Sequence, residues 1–163
     1  MQYTLSILVE NQAGVLSKIS GLFSRRGFNI DSLAVGVTAD PKVSRITIVA
    51  NGDEYVVEQL EKQLNKVIPV IKVKRLTDGE FISRELILIK VHCAPSKRSE
   101  IIKTAEIMQA KIVDASPDTV TVEYCECTNR VNTLIDMLKP YGIREIVRTG
   151  TVAIDRGTTA VSL

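Results

Sequence analysis

The chain has 163 residues, 45% hydrophobic and 25% charged, enough apolar material to fill the core of one domain or of two small ones. A net charge of +2 with no basic run argues against a nucleic-acid partner. Charged residues interrupt every apolar stretch well short of a membrane span.

Residues 4–9 read as a strand of β-formers. Met1-Gln2-Tyr3 leads straight into it, so no signal or transit peptide is expected. Polar Glu10, Asn11, Gln12 and Ala13 then lead to Gly14, where an apolar pattern begins. Val15, Leu16, Ile19, Leu22 and Phe23 fall on one stripe of an amphipathic helix. Arg25 and Arg26 suit the negative end of its dipole, and Gly27 supplies a stop. Free N–H groups at the start of this helix suit a carboxylate or phosphate, and Gly14 lets a ligand approach the backbone. Taken alone, Asn11 and Gly14 read more simply as ordinary capping and turn residues. Asn29 adds weight to the ligand reading, because it stands at the mouth of the next strand, where its amide could face the same loop of a neighbouring subunit.

Strands are expected over 30–37 and 44–50, the second alternating Ile46, Ile48 and Ala50 against Arg45, Thr47 and Val49. A helix over 54–66 buries Val57, Leu60, Leu64 and Val67, and residues 70–76 form another strand. The order is βαββαβ, the ferredoxin-like split unit. After a linker at 77–84 the grammar repeats. Strands are expected at 86–91, 111–115, 119–124 and 143–149. One helix carries Ile101, Ile102, Ala105 and Met108 with Ser96 as its cap, and another covers 129–139. The fold class is therefore α+β, with domains at 1–76 and 85–163. The second-half loop Cys93-Ala94-Pro95-Ser96 has neither the Asn nor the Gly, so no second copy of the ligand site is expected there.

The motifs Asn11-x-x-Gly14-Val15-Leu16 and Arg26-Gly27-Phe28-Asn29-Ile30-Asp31-Ser32-Leu33 resemble the ACT domain of the small regulatory subunit of acetolactate synthase, also called acetohydroxyacid synthase. The resemblance continues through Ser44-Arg45-Ile46-Thr47-Ile48, Gly142-Ile143 with Glu145, Arg148-Thr149-Gly150 and Arg156-Gly157, and so spans nearly the whole chain. It implies a non-catalytic subunit that activates the catalytic large subunit and confers feedback inhibition by a branched-chain amino acid, valine first among them. The setting is valine, leucine and isoleucine biosynthesis. It implies homodimers formed through ACT domains, with an effector site between protomers. The N–H groups at Gly14, Val15 and Leu16 would hold the ligand carboxylate; Asn11, Asn29 and the backbone around Ile30 would hold its ammonium, with Val35 near the branched side chain. Thiamine diphosphate, FAD and magnesium would bind only the catalytic subunit. The alternative is a free-standing amino-acid sensor acting on transcription or transport through the same pocket.

Other chemistry finds little support. A zinc site from His92, Cys93, Cys125 and Cys127 is disfavoured, since His92 and Cys93 point to opposite faces of a strand; only Cys125 and Cys127 share one. Three cysteines, an odd count without a secretory signal, fit free thiols in a reducing cytoplasm. Aromatics are 4% of residues and do not form the stacking motif of RNA-binding ferredoxin-like domains. No nucleophile elbow, Walker or dinucleotide fingerprint occurs.

Overall fold

The computed structural model describes residues 1–162. Its first sheet contains β1 (Gln2–Glu10), β2 (Ile30–Val37), β3 (Val43–Asn51) and β4 (Val70–Leu76), in the antiparallel order β2-β3-β1-β4. Helices α1 (Val15–Arg25) and α2 (Glu54–Leu64) cover one face. Beneath them lie Leu5, Ile7, Val9, Ile46, Ile48 and Ala50, the alternate residues of the two central strands, closed by Ile19, Phe23, Leu60 and Leu64 from the helices. This is the split βαββαβ arrangement that the alternation in β3 and the two helical stripes point to.

The second sheet contains β5 (Phe81–His92), β6 (Lys111–Ala115), β7 (Thr119–Glu126) and β8 (Ile143–Arg148), in the equivalent order β6-β7-β5-β8. Helices α3 (Arg98–Met108) and α4 (Thr128–Leu138) pack on Ile87, Ile89, Val91, Val120 and Val122. The fold class is thus α+β, with two ferredoxin-like units.

Local expectations fail at four places. The expected linker 77–84 is partly strand, because β5 starts at Phe81 and alternates from there into the buried Glu85. Ser96 does not cap α3; Pro95–Lys97 forms a 3₁₀ turn and no side chain caps the helix behind it. Cys125 and Cys127 do not share a strand face, because β7 ends at Glu126, whose carboxylate accepts the Cys127 N–H, and Cys127 is already the residue before α4. Leu16 is not on the buried stripe of α1: one residue past Val15 is a rotation of about 100°, and Leu16 stays 41% exposed while Val15, Ile19 and Phe23 are buried.

The compact units also divide differently from the sequence domains. One comprises residues 83–150; the other comprises residues 1–82 together with the segment from Thr151 onward. That returning segment includes β9 (Val152–Asp155), which pairs with β5 and also makes contacts with the first sheet. Arg45 donates to the Ala153 carbonyl at 2.8 Å, the Thr151 N–H donates to Ser32 Oγ at 2.6 Å, and Lys74 pairs with Asp155 at 2.8 Å. Val161 closes over Leu8 and Val43.

Candidate functional site

The two parts of the expected ligand site are built by opposite ends of the first sheet. At one end is the loop 10–14. Its Asn11 N–H donates to the Lys42 carbonyl at 2.7 Å, and the Asn11 side-chain amide donates to the Pro41 carbonyl at 2.9 Å. Asn11 is therefore not a helix cap. Its side chain is pinned to the turn before β3 through nitrogen, which leaves Oδ1 as an acceptor. Gly14 precedes α1 with φ +83°, in the left-handed region that favours glycine, and an added Cβ there would meet nothing within 4 Å. No side chain caps the helix, and its first backbone bond runs from Lys18 N–H to the Gly14 carbonyl. The N–H groups of Val15, Leu16 and Ser17 precede that bond, as helix geometry requires, and point toward any anion placed there.

The other end begins where α1 stops. The Gly27 N–H bonds the Ser24 carbonyl and the Phe28 N–H bonds the Phe23 carbonyl, with Gly27 at φ +70°, which is a Schellman stop. The rings of Phe23 and Phe28 meet edge to face at 6.2 Å and seal it. The chain leaves this stop through Asn29 into β2. The Asn29 amide donates to Asp31 Oδ1 at 3.1 Å, and the amide of Asn51, at the end of β3, donates to Asp31 Oδ2. Ile30 is half-buried against the core of the first unit.

Within one chain these two groups cannot touch the same small molecule. The 11 residues of α1 separate them by about 16 Å at 1.5 Å per residue. Along β3, Val43 marks one end and Asn51 the other, a span of roughly 27 Å at strand rise. Asn11, Gly14, Val15 and Leu16 form one half, and Asn29 with Ile30 the other. Val35, on the edge strand β2, is 49% exposed. Asp31 and Asn51 were not singled out from sequence; the only signal was their polarity beside Asn29 and Gly52.

Two family models divide the chain between them: the AHAS small subunit-like ACT domain matches residues 5–72, and the small subunit of acetolactate synthase matches residues 84–157. The chain is 50% identical over 157 residues to a probable acetolactate synthase small subunit of Archaeoglobus fulgidus, covering 96% of this chain and 98% of that one. The chain belongs to the acetolactate synthase small-subunit family. Similarity to the Bacillus subtilis acetolactate synthase small subunit is 48% over 159 residues, covering 97% and 92% of the two chains. The crystal structure of the acetolactate synthase small subunit from Thermotoga maritima superposes with a TM-score of 0.89 at 37% identity, covering 98% of this chain and 99% of that one. Membership carries an ACT domain, a regulatory-subunit role in branched-chain amino acid biosynthesis and a catalytic large subunit as its counterpart. No helix of the described residues is long and apolar enough to cross a membrane.

The second unit carries an open cleft of about 340 Å³ where the loop after β5 meets α3, lined by His92, Ala94, Lys97, Glu100, Pro140 and Tyr141. This is the position that the loop 10–14 holds in the first unit. Its charged groups answer one another: Lys97 pairs with Glu100 at 2.9 Å, and the Tyr141 hydroxyl donates to Glu100 at 3.1 Å. Those contacts hold the Glu100 carboxyl below the ordinary carboxylate range and lift Lys97 above its own. His92 Nδ1 lies 3.0 Å from Arg144, and no group of three His, Cys, Asp or Glu side chains among the described residues is placed to hold a metal.

Proposed function

We propose that two copies of this chain pair antiparallel along β2 and that the pairing assembles two effector sites for a branched-chain amino acid. The observation that carries this reading is the placement of complementary half-sites at opposite ends of one sheet. In the first sheet β2 is one of two edge strands, with β4 at the other side. Its Val37 end lies beside Ser44, where Thr38 N–H meets the Val43 carbonyl and the turn 40–42 holds Asn11. Its Ile30 end lies beside Ala50 and Asn51. Two β2 strands running antiparallel bring the Ile30 end of one chain to the Val37 end of the other. Each Asn11–Gly14 half then meets the partner's Asn29 half. The same pairing closes an edge that would otherwise offer free backbone groups.

In each site the helix start at Gly14, Val15 and Leu16 takes the carboxylate, and Asn11, the partner's Asn29 and the backbone near Ile30 take the ammonium. Leu16 and Val35, at 41% and 49% exposed, supply apolar surface for the branched side chain. Valine, leucine and isoleucine differ by about one methylene, worth roughly 1–3 kcal/mol, so valine preference rests on the fit of that surface.

The subunit has no acetolactate synthase activity of its own. It raises the activity of the catalytic large subunit in the cytoplasm and makes it sensitive to the end product. Thiamine diphosphate, FAD and magnesium are assigned to the large subunit in this reading. Coupling of this kind amounts typically to 1–3 kcal/mol and is reciprocal for binding. Family membership favours this over a free-standing regulator of transcription or transport. The test is titration of valine into the purified chain by calorimetry, with large-subunit activity assayed in parallel. Valine binding at one site per chain, together with valine-sensitive activation of the large subunit, supports the reading. Activation that ignores all three branched-chain amino acids overturns it.

A further inference from the structure

We infer that Asp31 makes the effector site selective for a ligand bearing a primary ammonium, by fixing the Asn29 amide and by adding its own negative charge. The inference rests on the effector-site reading above and names a residue that the reading does not contain.

The placement of Asp31 follows from a break in strand register. Ile30 pairs with Ala50 and Ser32 with Val49, so Asp31 is an extra residue with no partner across β3. A bulge of this kind releases one side chain from strict alternation and re-aims it. Here it turns the carboxylate to two amides, Asn29 in the same strand mouth and Asn51 at the end of β3.

The hydrogen-bond inventory then sets the chemistry. A carboxamide has one donor end and one acceptor end; a carboxylate only accepts, through about four lone-pair positions. Each amide directs one N–H to Asp31, which fixes the flip so that Asn29 and Asn51 each keep an oxygen, and Asp31 keeps lone pairs beyond the two that are engaged. The three side chains together offer two amide oxygens, the remaining carboxylate lone pairs and one negative charge, against one further N–H on each amide nitrogen. A primary ammonium, with three N–H donors and a positive charge, complements that set. A 2-oxo or 2-hydroxy acid of the same carbon skeleton would bring an acceptor or a neutral hydroxyl to the same place. Without Asp31, the Asn29 amide is free to rotate and offer its NH₂ to the ligand, which suits the wrong compound.

The experiment titrates L-valine, 3-methyl-2-oxobutanoate and 3-methylbutanoate into the wild-type chain, Asp31→Asn and Asp31→Ala, with circular dichroism as the check on folding. Asn keeps the shape and removes the charge; Ala removes both, so one folded variant suffices. The expected result is a wild type that prefers valine over both acids at least tenfold. In the variants valine weakens on the order of tenfold to a hundredfold, as loss of a charge-assisted contact implies, while the two acids bind as before or more tightly. Equal weakening of all three ligands would make Asp31 a merely structural residue and overturn the inference, as would unchanged valine preference. A wild type that binds none of the three would instead overturn the effector-site reading, and this inference with it.

Discussion

Arg45 donates to the backbone carbonyl of Ala153 at 2.8 Å across 108 residues of sequence. The guanidinium is partly buried, which pulls its pKa down, and the nearby Asp155 carboxylate opposes that pull. Asp155 itself is held by Lys74 and is almost fully covered. A small ionic group therefore fastens the segment from Thr151 onward to the first sheet. Arg45→Ala leaves that carbonyl without its partner, a loss of about 1–3 kcal/mol for an unsatisfied buried group. Amide hydrogen exchange should speed up in 151–156 while the helix-side core of the first unit stays protected. Unchanged exchange in that segment would show that its pairing with β5, the Ser32 contact and Val161 hold it without Arg45.

Gly52 lies between β3 and α2, and its importance is steric. A Cβ built there would stand 2.3 Å from the Phe28 ring, the same ring that seals the stop of α1 against Phe23. Gly52→Ala must displace Phe28, and overpacking of this sort costs about 1–3 kcal/mol. Because Phe28 precedes Asn29, the variant should lose both thermal stability and ligand affinity. A thermal melt and a valine titration on the same sample check this; wild-type values for both would contradict it.

Gly14→Asp separates backbone strain from chemistry. With φ at +83°, a side chain here is strained, by roughly 1–2 kcal/mol, although Asp tolerates the left-handed region better than most residues. A negative charge at a helix start returns about 0.3–1 kcal/mol, and open space surrounds the new Cβ. The variant should fold with a slightly lowered melting temperature and lose valine binding, since its carboxylate occupies the ligand's place. Gly14→Ala carries the strain without the charge and should keep most of its affinity. Equal affinities for the two variants would place the anion site elsewhere.

Glu61 sets a pH dependence. Burial pushes its carboxyl above the ordinary carboxylate range, Glu58 adds to that, and Arg75 at 3.9 Å opposes it. The folded state then binds the proton more tightly than the unfolded state, so this group's contribution to stability grows as pH falls through the raised folded value and is lost as pH rises through it. Glu61→Gln is blind to that titration. Denaturant melts should show the variant faring best relative to wild type at neutral pH, with its relative advantage shrinking on acidification. A difference that does not change with pH would contradict the assignment.

Much of the fold was legible in the sequence because it is local. Ile46, Ile48 and Ala50 alternate, Val57, Leu60 and Leu64 repeat at helical spacing, and each pattern survives into the structure. The loop 10–14 was legible as the lead-in to an amphipathic helix starting after Gly14, because Val15, Ile19 and Phe23 repeat at helical spacing. What escaped depends on pairing between distant residues. No local pattern says that Ala153 will meet Arg45, so the return of the C-terminal segment to the first sheet was hidden inside an assumed second domain. Asp31 drew no separate reading, because a bulge exists only in the register between β2 and β3. Leu16 read as core because an apolar residue beside a buried stripe has the same letter whether it packs or projects.

The central claim is that each effector site takes one half from each of two chains, and complementation between two defective chains tests it most directly. Asn11→Ala disables one half and Asn29→Ala the other, so each variant alone should bind valine at least tenfold more weakly than wild type. Unfolded together and refolded as a mixture, half of the dimers pair one of each. In such a dimer both lesions fall in the same site and the other site is intact, so calorimetry should recover wild-type affinity at about a quarter of the wild-type stoichiometry, as two-fold symmetry requires. A mixture that binds no better than its two components would contradict the shared-site account.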